Sequence, residues 1–521
     1  DGSDPYACTW DAGEWNIRAG HNVAVGYDEP GGHQVVQVFS EPMAPPVYDP
    51  DDVVATTEPS VTNAITRLEA SELDIYAAGT SDPDIAQQIA DSNNLGGYHA
   101  YGNYNELTFN PAGPIFAGTG KLNPFAVRRV REAMNWLVDR NYIAQQILGG
   151  LGVPRWHALN TASKDYADLA DVARELELHY AYDKALAQQV IAQEMAVLGA
   201  TRVGGLWYYG GEPVEIILLI RTEDKRRQIG DYVGDQLEDL GFTVIRDYKT
   251  SAEASPIWLS GNPEDGQFHI YTGGWVSTQV SRDSAGNFAF FYTDTGLPFP
   301  LWQAYENTPE FYTLAQQLQN QEFTTLEERR AMMAQALDWA LEDSVRVWLK
   351  DDVNITPRRA EVSYVSDLSG GMLGSWLWPH TLTRTGSFTT PLTIGSPNIL
   401  DAPWNPLDGS SWVYDMMFMR ATSDKGVIPD PFTGLNHPQR IESAAVNVQA
   451  GLPVFKTHDW VTLNFEPEIV VPNDAWAGWD AASQQFLTAA EVYTQPQTVL
   501  QTSVVTYPTD LTTTVTWHDG S

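Results

Sequence analysis

The feature that most constrains the fold is a strand, helix and strand unit at residues 214–245. Residues 214–220 form an apolar run of strand length, and residues 223–240 follow a helical pattern that Gly241 can end. A second apolar run at residues 242–245 completes the unit. Strands joined by a helical crossover lie parallel in one sheet, and the crossover is right-handed. The unit therefore predicts a doubly wound α/β lobe.

Length and composition indicate a folded, acidic chain of several domains. Its 521 residues are enough for two or three domains with complete cores. With 43% hydrophobic and 19% charged residues, the sequence is typical of globular proteins. The 67 acidic and 30 basic residues give a formal charge of -37, which argues strongly against nucleic acid or anionic membrane as a partner.

No motif in the sequence is specific for catalysis or for metal binding. The single cysteine, Cys8, excludes internal disulfides and metal sites built from several cysteines, and we expect a buried thiol there. The histidines lack the spacing of metal ligands, and the acidic loop at residues 41–52 lacks the alternate spacing of a calcium loop. The motifs of serine hydrolases, zinc proteases and nucleotide-binding loops are also absent. We therefore predict no catalytic residues, no metal and no cofactor.

Residues 123–148 are predicted to form a packed helix followed by a second helical turn. Asn123 can cap the helix, because its side chain accepts from free amides of the first turn, and Pro124 is tolerated at the first helical position. Gly149 and Gly150 can end the second turn. The apolar residues that recur at three- and four-residue spacing are Val127, Val130, Met134, Leu137 and Val138.

The same segment resembles a known family. The letters VRxA at 130–133 and LVDR at 137–140 are similar to the most recognisable helix of the family 5 extracellular solute-binding proteins, the peptide- and nickel-type receptors of ABC importers. The letters GGW at 273–275, after a predicted strand at 269–271, are the second specific resemblance. In that family the Asp-Arg pair is structural, so the resemblance implies that Asp139 and Arg140 are scaffold residues. Ser71 stands where the family usually has glycine.

The resemblance implies a fold and a function. The fold is α/β: a two-lobed periplasmic-binding-protein-like fold of the class with an extra small domain, with mixed sheets flanked by helices. The function is that of an extracellular receptor, not an enzyme, which binds an oligopeptide or similar polar solute between its lobes and delivers it to a membrane ABC permease. Two alternatives stay open, because one fold supports many functions: a cell-surface structural or filament-forming protein and a secreted glycoside hydrolase.

The candidate ligand-binding residues lie around the GGW letters. Two glycines before Trp275 permit close backbone approach, so we expect the indole to face the cleft, with Gly274 and Tyr271 beside it. In peptide receptors of the family, an Asp shortly after this Trp holds the α-ammonium group of the ligand. Here Thr278 takes that place and Asp283 is the nearest acid. A sugar or a blocked peptide therefore remains an alternative ligand.

The family elements occur in an unusual order. Residues 1–385 resemble the middle and end of the family pattern, whereas residues 391–418 and the letters WHDG at 517–520 resemble its beginning. We expect either a circular permutation or a piece of a longer precursor. In both cases the strand at 392–394 must enter the same sheet as elements of residues 1–100.

This order predicts four regions and a partner. Residues 1–100 form the middle part of lobe I, 101–360 form lobe II, 361–430 complete lobe I, and 431–521 belong to a small extra domain that is incomplete. An incomplete domain exposes a sheet edge and apolar surface, so we expect a second chain or a neighbouring copy in an assembly to cover it. The expected location is extracellular or at the cell surface, as a mature secreted chain.

Overall fold

The computed structural model describes residues 53–386, 391–399, 413–421, 423 and 425–514, together with the strand backbones of Ile17–Ala19, Val23–Asp28 and His33–Val38. Cys8, the acidic loop at 41–52 and the WHDG letters at 517–520 lie outside the described residues. None of the described helices is both long enough and apolar enough to cross a membrane.

The strands and helices follow one another along the whole described chain. The strands are β1 (Ile17–Ala19), β2 (Val23–Asp28), β3 (His33–Val38), β4 (Val53–Thr57), β5 (Ile75–Tyr76), β6 (Leu95–Ala100), β7 (Asn103–Phe109), β8 (Gly152–Pro154), β9 (Thr201–Val203), β10 (Leu206–Tyr209), β11 (Glu212–Pro213), β12 (Glu215–Arg221), β13 (Thr243–Lys249), β14 (Ile270–Val276), β15 (Arg346–Asp352), β16 (Asn354–Arg359), β17 (Val362–Ser363), β18 (Thr383–Arg384), β19 (Leu392–Ser396), β20 (Val427–Pro429), β21 (Asn436–Pro438), β22 (Ser443–Gln449), β23 (Val461–Glu466), β24 (Ile469–Val470), β25 (Trp476–Asp480), β26 (Gln485–Thr488), β27 (Thr498–Val499) and β28 (Gln501–Thr506). The α-helices are α1 (Val61–Glu69), α2 (Pro83–Asp91), α3 (Arg128–Leu137), α4 (Arg140–Tyr142), α5 (Lys164–Asp168), α6 (Ala170–His179), α7 (Lys184–Val197), α8 (Arg226–Asp239), α9 (Ser251–Trp258), α10 (Asn287–Tyr292), α11 (Pro300–Gln303), α12 (Pro309–Gln319), α13 (Leu326–Asp343), α14 (Gly371–Gly374), α15 (Trp378–Thr381), α16 (Val413–Ala421), α17 (Ala489–Val492) and α18 (Leu511–Thr514).

Lobe I is built on an eight-stranded sheet with the order β1-β2-β3-β4-β19-β5-β16-β6. Strand β19 lies between β4 and β5 and runs parallel to both. Ile394 pairs with Ala55 on one side and with Ile75 on the other, and all three side chains are buried. The prediction that the strand at 392–394 enters the same sheet as elements of residues 1–100 is therefore confirmed.

Lobe II is built on a six-stranded sheet with the order β13-β12-β14-β7-β15-β8. Strand β12 runs parallel to β13 and β14, whereas β7 runs antiparallel to β14 and β15. Helix α8 connects β12 to β13, which confirms the predicted strand, helix and strand unit. Gly241 follows the end of α8 with a φ of 97°, a conformation that glycine adopts without strain.

Within the described residues, two segments connect the sheets of the two lobes. Residues 101–102 join β6 to β7, and residue 353 joins β15 to β16. Gly102 accepts a hydrogen bond from Ser277 N at 2.9 Å, and a Cβ at Gly102 would lie 2.4 Å from the Ser277 carbonyl oxygen. The connections are thus short and tightly packed, and they hold the ends of β7, β14 and β15 at the boundary between the lobes.

The helix predicted from Asn123 begins in two steps. The Asn123 side chain accepts from Phe125 N at 3.1 Å and caps a 3-10 turn at Pro124–Ala126. Val127 then has extended backbone angles, so α3 begins at Arg128. The predicted cap is confirmed, but the α-helix starts after the 3-10 turn because the chain bends there.

The Asp-Arg pair after α3 is part of the scaffold, as predicted. Asp139 caps α4 by accepting from Asn141 N at 2.9 Å and from Tyr142 N at 3.0 Å. The Arg140 side chain is only 2% exposed and donates to the backbone carbonyls of Arg155 at 2.8 Å and Trp348 at 2.7 Å. A buried cation bonded to carbonyls ties α4 to the sheet of lobe II.

The rest of the described chain forms a second compact unit. Its described residues are 323–329, 425–429 and 435–514. A three-stranded sheet with the order β23-β22-β28 lies in this unit, beside the strand pairs β20–β21, β24–β27 and β25–β26. Most side chains of β23 and β28 are exposed.

Candidate functional site

The candidate site lies where β14 ends, beside the connections between the two lobes. Strand β14 pairs with β7 so that Gly273 lies opposite Glu106, Gly274 opposite Asn105 and Trp275 opposite Tyr104. Neighbouring residues of a strand point to opposite faces of the sheet. Trp275 therefore shares a face with Tyr271 and Gly273, and Gly274 lies on the other face.

Trp275 is partly buried in a group of aromatic side chains. Its ring centroid lies 5.3 Å from that of Phe291 and 5.7 Å from that of Phe290, both in edge-to-face geometry. The rings of Trp302 and Trp258 lie at 6.1 Å and 6.4 Å. This packing holds the indole in one orientation, and its remaining exposed part can contact a solute.

A buried carboxylate fixes the polar end of Trp275. The indole Nε1 donates to Glu106 Oε1 at 3.2 Å, and the same oxygen accepts from Thr108 Oγ1 at 2.5 Å and from Arg346 Nη1 at 3.0 Å. Glu106 is fully buried, and this burial raises the pKa of its carboxyl group even though the Arg346 charge favours ionisation. Glu106 Oε2 accepts no hydrogen bond from any described residue.

Gly273 is needed because of this carboxylate. A Cβ at Gly273 would lie 2.0 Å from Glu106 Oε1, which is far inside van der Waals contact. The first glycine of the GGW letters thus makes room for the side chain that orients Trp275.

Gly274 makes room for an arginine on the opposite face. A Cβ there would lie 2.7 Å from both Arg226 Nη1 and Asn105 Nδ2. Arg226 forms a two-pronged ion pair with Asp224, with Nε–Oδ1 at 2.9 Å and Nη2–Oδ2 at 2.7 Å. Burial disfavours the charge on Asp224, but the Arg226 charge outweighs it and holds the pKa of Asp224 well below its usual range.

The other predicted residues occupy different environments. Tyr271 is 1% exposed, stacks on Trp258 with ring centroids 4.5 Å apart, and accepts from Arg221 Nη1 at 3.1 Å through its hydroxyl group. Asp283 is exposed, and its Oδ1 accepts from Ala285 N at 2.9 Å. Thr278 is partly buried in the segment that follows β14. The structure thus places Trp275 and Gly274 at the end of β14 and Asp283 at the surface. Tyr271 is buried earlier in the same strand, on the face that also carries Trp275.

The segment around Thr278 contacts lobe I directly. The Thr278 carbonyl oxygen lies so close to α14 that a Cβ at Gly370 or Gly374 would approach it to 2.2 Å or 1.8 Å. Asp367 holds the turn before α14, because its Oδ1 accepts from Ser369 N and Gly370 N, both at 2.8 Å. Burial raises the pKa of Asp367 to about 6, although these amide bonds favour the carboxylate.

A second contact between the lobes is an ion pair. Asp82 precedes α2 in lobe I, and its Oδ2 lies 2.8 Å from Lys225 Nζ in lobe II. Its Oδ1 accepts from Asp84 N at 2.9 Å and so caps α2. One carboxylate therefore fixes a helix start and links the two lobes.

Sequence reasoning did not find Glu106, Arg346 or Arg226. A glutamate inside an apolar strand, at residues 103–109, was the available signal for Glu106, because such a position is rarely charged without a buried partner. Its partner Arg346 lies 240 residues away in the sequence, and no local spacing connects the two. Among the described residues, no three His, Cys, Asp or Glu side chains are placed to hold a metal ion.

Residues 45–297 match the family model of the bacterial extracellular solute-binding proteins, family 5, middle region. No curated protein sequence matches the chain.

Solved structures show the same fold at low sequence identity. The oligopeptide-binding protein AppA from Bacillus subtilis, in complex with a nonapeptide, is 17% identical with a TM-score of 0.54, and the match covers 70% of this chain and 66% of that one. AgaA from A. tumefaciens R10, in complex with agropinic acid, is 18% identical with a TM-score of 0.54, covering 70% and 67%. NikA from Brucella suis, in complex with Fe(III)-EDTA, is 17% identical with a TM-score of 0.52, covering 70% and 68%. The chain thus spans just under two thirds of the length of AppA.

Proposed function

Because residues 45–297 match the model of the family 5 extracellular solute-binding proteins, we propose that this chain is a member of that family, acts as the receptor of an ABC importer and binds an oligopeptide or similar polar solute between its lobes. The observation that carries this proposal is Trp275, which is oriented by Glu106 and partly exposed at the end of β14, next to the segment that contacts lobe I. An aromatic surface beside a hinged boundary is typical of solute-binding clefts.

The type of solute is a further part of the proposal. AppA was solved with a nonapeptide, AgaA with agropinic acid and NikA with Fe(III)-EDTA, so proteins of this fold bind polar solutes of quite different shapes. We propose that Trp275 and Gly274 contact the solute, that Thr278 borders it, and that Tyr271 supports the indole from below. Thr278 carries no charge, and Asp283 already caps Ala285 N. A free peptide amino terminus is therefore not held by a carboxylate at this position.

Calorimetry with free and acetylated di- to pentapeptides tests the proposal. We expect peptides to bind with similar affinity whether or not the amino terminus is acetylated, and Trp275→Phe to weaken binding because the ring shape and the bond to Glu106 change. Trp479→Phe, at an exposed residue of β25, is the control and should leave the affinity unchanged. If no peptide binds and mass spectrometry finds no small molecule in the purified protein, the receptor proposal is wrong.

Asp283 needs its own variant. Asp283→Asn keeps the size of the side chain and an oxygen that can cap Ala285 N, so it should not change affinity. Micromolar binding of unblocked peptides that is abolished by this variant would instead assign Asp283 to the ligand ammonium group.

Location and partners belong to the same proposal. We propose that the chain acts outside the cytoplasmic membrane and delivers its solute to a membrane ABC permease, as the family does. We also propose that a second chain or a neighbouring copy pairs with the small sheet of the second unit. Strands β23 and β28 each pair only with β22 among the described residues, and Phe465 and Val504 on them are 50% and 59% exposed.

Light scattering and electron microscopy test this partner. We expect the purified chain to form dimers or larger assemblies, and Val504→Asp to shift it towards monomer. A monomer at all concentrations contradicts the assembly. Filaments that bind no solute would favour a structural role over transport.

A further inference from the structure

A groove on lobe II that Trp275 does not line has the form of a second binding surface. It lies between α12 and α13 and has a volume of about 590 Å³. Leu314, Met332 and Trp339 supply its apolar surface, and Glu310 and Gln317 lie along its polar side. We call it the α12–α13 groove.

A smaller cavity of about 230 Å³ continues the groove at one end. Glu310 and Trp339 line both cavities, so the two are adjacent. The continuation adds Glu342, Asp343 and Arg128. The groove is therefore apolar along most of its length and charged at one end.

The charged end carries an excess of negative charge. Arg128 forms an ion pair with Glu342, and Asp343 pairs with Arg131 with the Nη2–Oδ2 distance at 3.3 Å. Glu310 is exposed and forms no ion pair with a described residue. The Glu310 carboxylate thus has no cationic partner among the described residues, and it lines the groove together with the Trp339 indole. The whole chain is also acidic, with 67 acidic and 30 basic residues.

We propose that the α12–α13 groove docks a basic, amphipathic segment of a partner protein. An arginine or lysine of that segment would lay its alkyl stem along Leu314 and Met332 and place its cationic head between Trp339 and Glu310. Long cationic side chains bury their stems on apolar surface, and a cation over a tryptophan ring contributes about 0.5–1 kcal/mol at exposed sites. The negative charge of the groove selects a basic partner and repels an acidic one.

The proposal does not depend on solute binding at Trp275. The groove is formed by α12 and α13 alone, apart from Arg128 at its charged end. A partner of the receptor can therefore dock there whether the solute is a peptide or not.

A photo-reactive peptide with blocked ends tests the groove. The probe is an acetylated, amidated hexapeptide of alternating leucine and arginine with one photo-reactive leucine, and the control peptide has glutamate in place of arginine. We expect the arginine peptide to bind, to crosslink to residues of α12 or α13, and to lose affinity at least tenfold between 50 mM and 500 mM salt. The glutamate peptide should not crosslink to α12 or α13.

Variants separate the groove from the solute cleft. Glu310→Gln and Met332→Asn should each weaken the arginine peptide at least fivefold, while Glu212→Gln, at an exposed residue of β11, should have no effect. Trp275→Phe should also leave the crosslinks of this peptide to α12 and α13 unchanged. Crosslinks confined to residues near Trp275 with none in α12 or α13, loss of the α12 and α13 crosslinks in Trp275→Phe alone, equal crosslinking of both peptides to these helices, or no crosslink to them at millimolar peptide would each overturn the proposal. Displacement of the peptide by equimolar spermidine would also overturn it, by showing a site for small cations.

Discussion

Gly273 shows how a neighbouring side chain can require a glycine. Its Cβ position is occupied by Glu106 Oε1, which is held by bonds from three residues and is fully buried. We expect Gly273→Ala to destabilise the protein by about 1–3 kcal/mol, the usual cost of overpacking a fixed core. Gly274→Ala should cost less, because the atoms in its way are the ends of the Arg226 and Asn105 side chains, and the partner of Arg226, Asp224, is 46% exposed, so that this ion pair can shift. Urea unfolding measures the free energy of unfolding of both variants. Equal losses of stability in Gly273→Ala and Gly274→Ala would show that Glu106 is not rigidly held.

The buried pair of Glu106 and Arg346 gives a second prediction. Glu106→Gln leaves the Arg346 charge without its carboxylate in a site where both side chains are at most 3% exposed. We expect a loss of about 3–5 kcal/mol, because an uncompensated buried charge is costly. Adding Arg346→Met should recover part of this loss.

Asp239→Asn is the matched control for that pair. It removes the partner of Lys184 at the surface, where Asp239 is 63% exposed, and should cost less than about 1 kcal/mol. If Glu106→Gln costs no more than this control, the Glu106 carboxyl is already neutral in the folded protein.

Residue-scale prediction from sequence succeeds where the interaction is local. Asn123 caps a helical turn as expected, since the cap bonds an amide two residues away, and Asp139 and Asp183 cap helices in the same local way. Ser71, at a place where the family usually has glycine, has a φ of 63°, which fits that preference. Glu106 and Arg346 meet only because β7 and β15 pair, and the sequence between them does not specify that contact.

At the scale of elements, the turn before α14 is expected to respond to pH. Burial raises the pKa of Asp367 to about 6 from an ordinary value of 3.8. The folded state therefore binds this proton more tightly than the unfolded state, so the contribution to stability is largest at low pH and is lost as pH rises through about 6. Between pH 7 and pH 5, we expect wild type to gain about 1 kcal/mol over Asp367→Asn.

Urea unfolding of both proteins across this pH range measures the difference. Asparagine can keep the bonds from the amides of Ser369 and Gly370 without titrating, so the comparison removes the effect of other carboxyl groups. If the free energy of unfolding changes with pH by the same amount in wild type and in Asp367→Asn, the Asp367 carboxyl group does not titrate near pH 6.

Whether a segment forms a helix or a strand was easier to predict from the sequence than the place of that strand in its sheet. The unit β12–α8–β13 was predicted because its apolar periods are clear and the end of its helix is marked by Gly241. The order of strands in lobe II could not be derived in the same way. Strand β7 lies between β14 and β15, which come far later in the chain, and only tertiary packing selects that order.

At the scale of the whole molecule, one strand from late in the chain joins elements from early in the chain. Ile394 is fully buried between Ala55 and Ile75, which are more than three hundred residues away in sequence. The family resemblance predicted that β19 pairs with strands from early in the chain. Composition and periodicity alone could not predict this pairing. Lobe I is thus a single cooperative body only if β19 stays in its sheet.

Ile394→Ala tests that dependence. Removing a buried isoleucine side chain costs about 2–5 kcal/mol, and here the cavity would open between β4 and β5. We expect hydrogen exchange to speed up in Val53–Thr57 and Ile75–Tyr76 together with Leu392–Ser396, while Ser443–Gln449 in the second unit stays unchanged. Val197→Ala, at a side chain that is 82% exposed at the end of α7, should leave all of these strands unchanged. Faster exchange confined to β19 would mean that the strand only lies along the sheet of lobe I and does not hold it together.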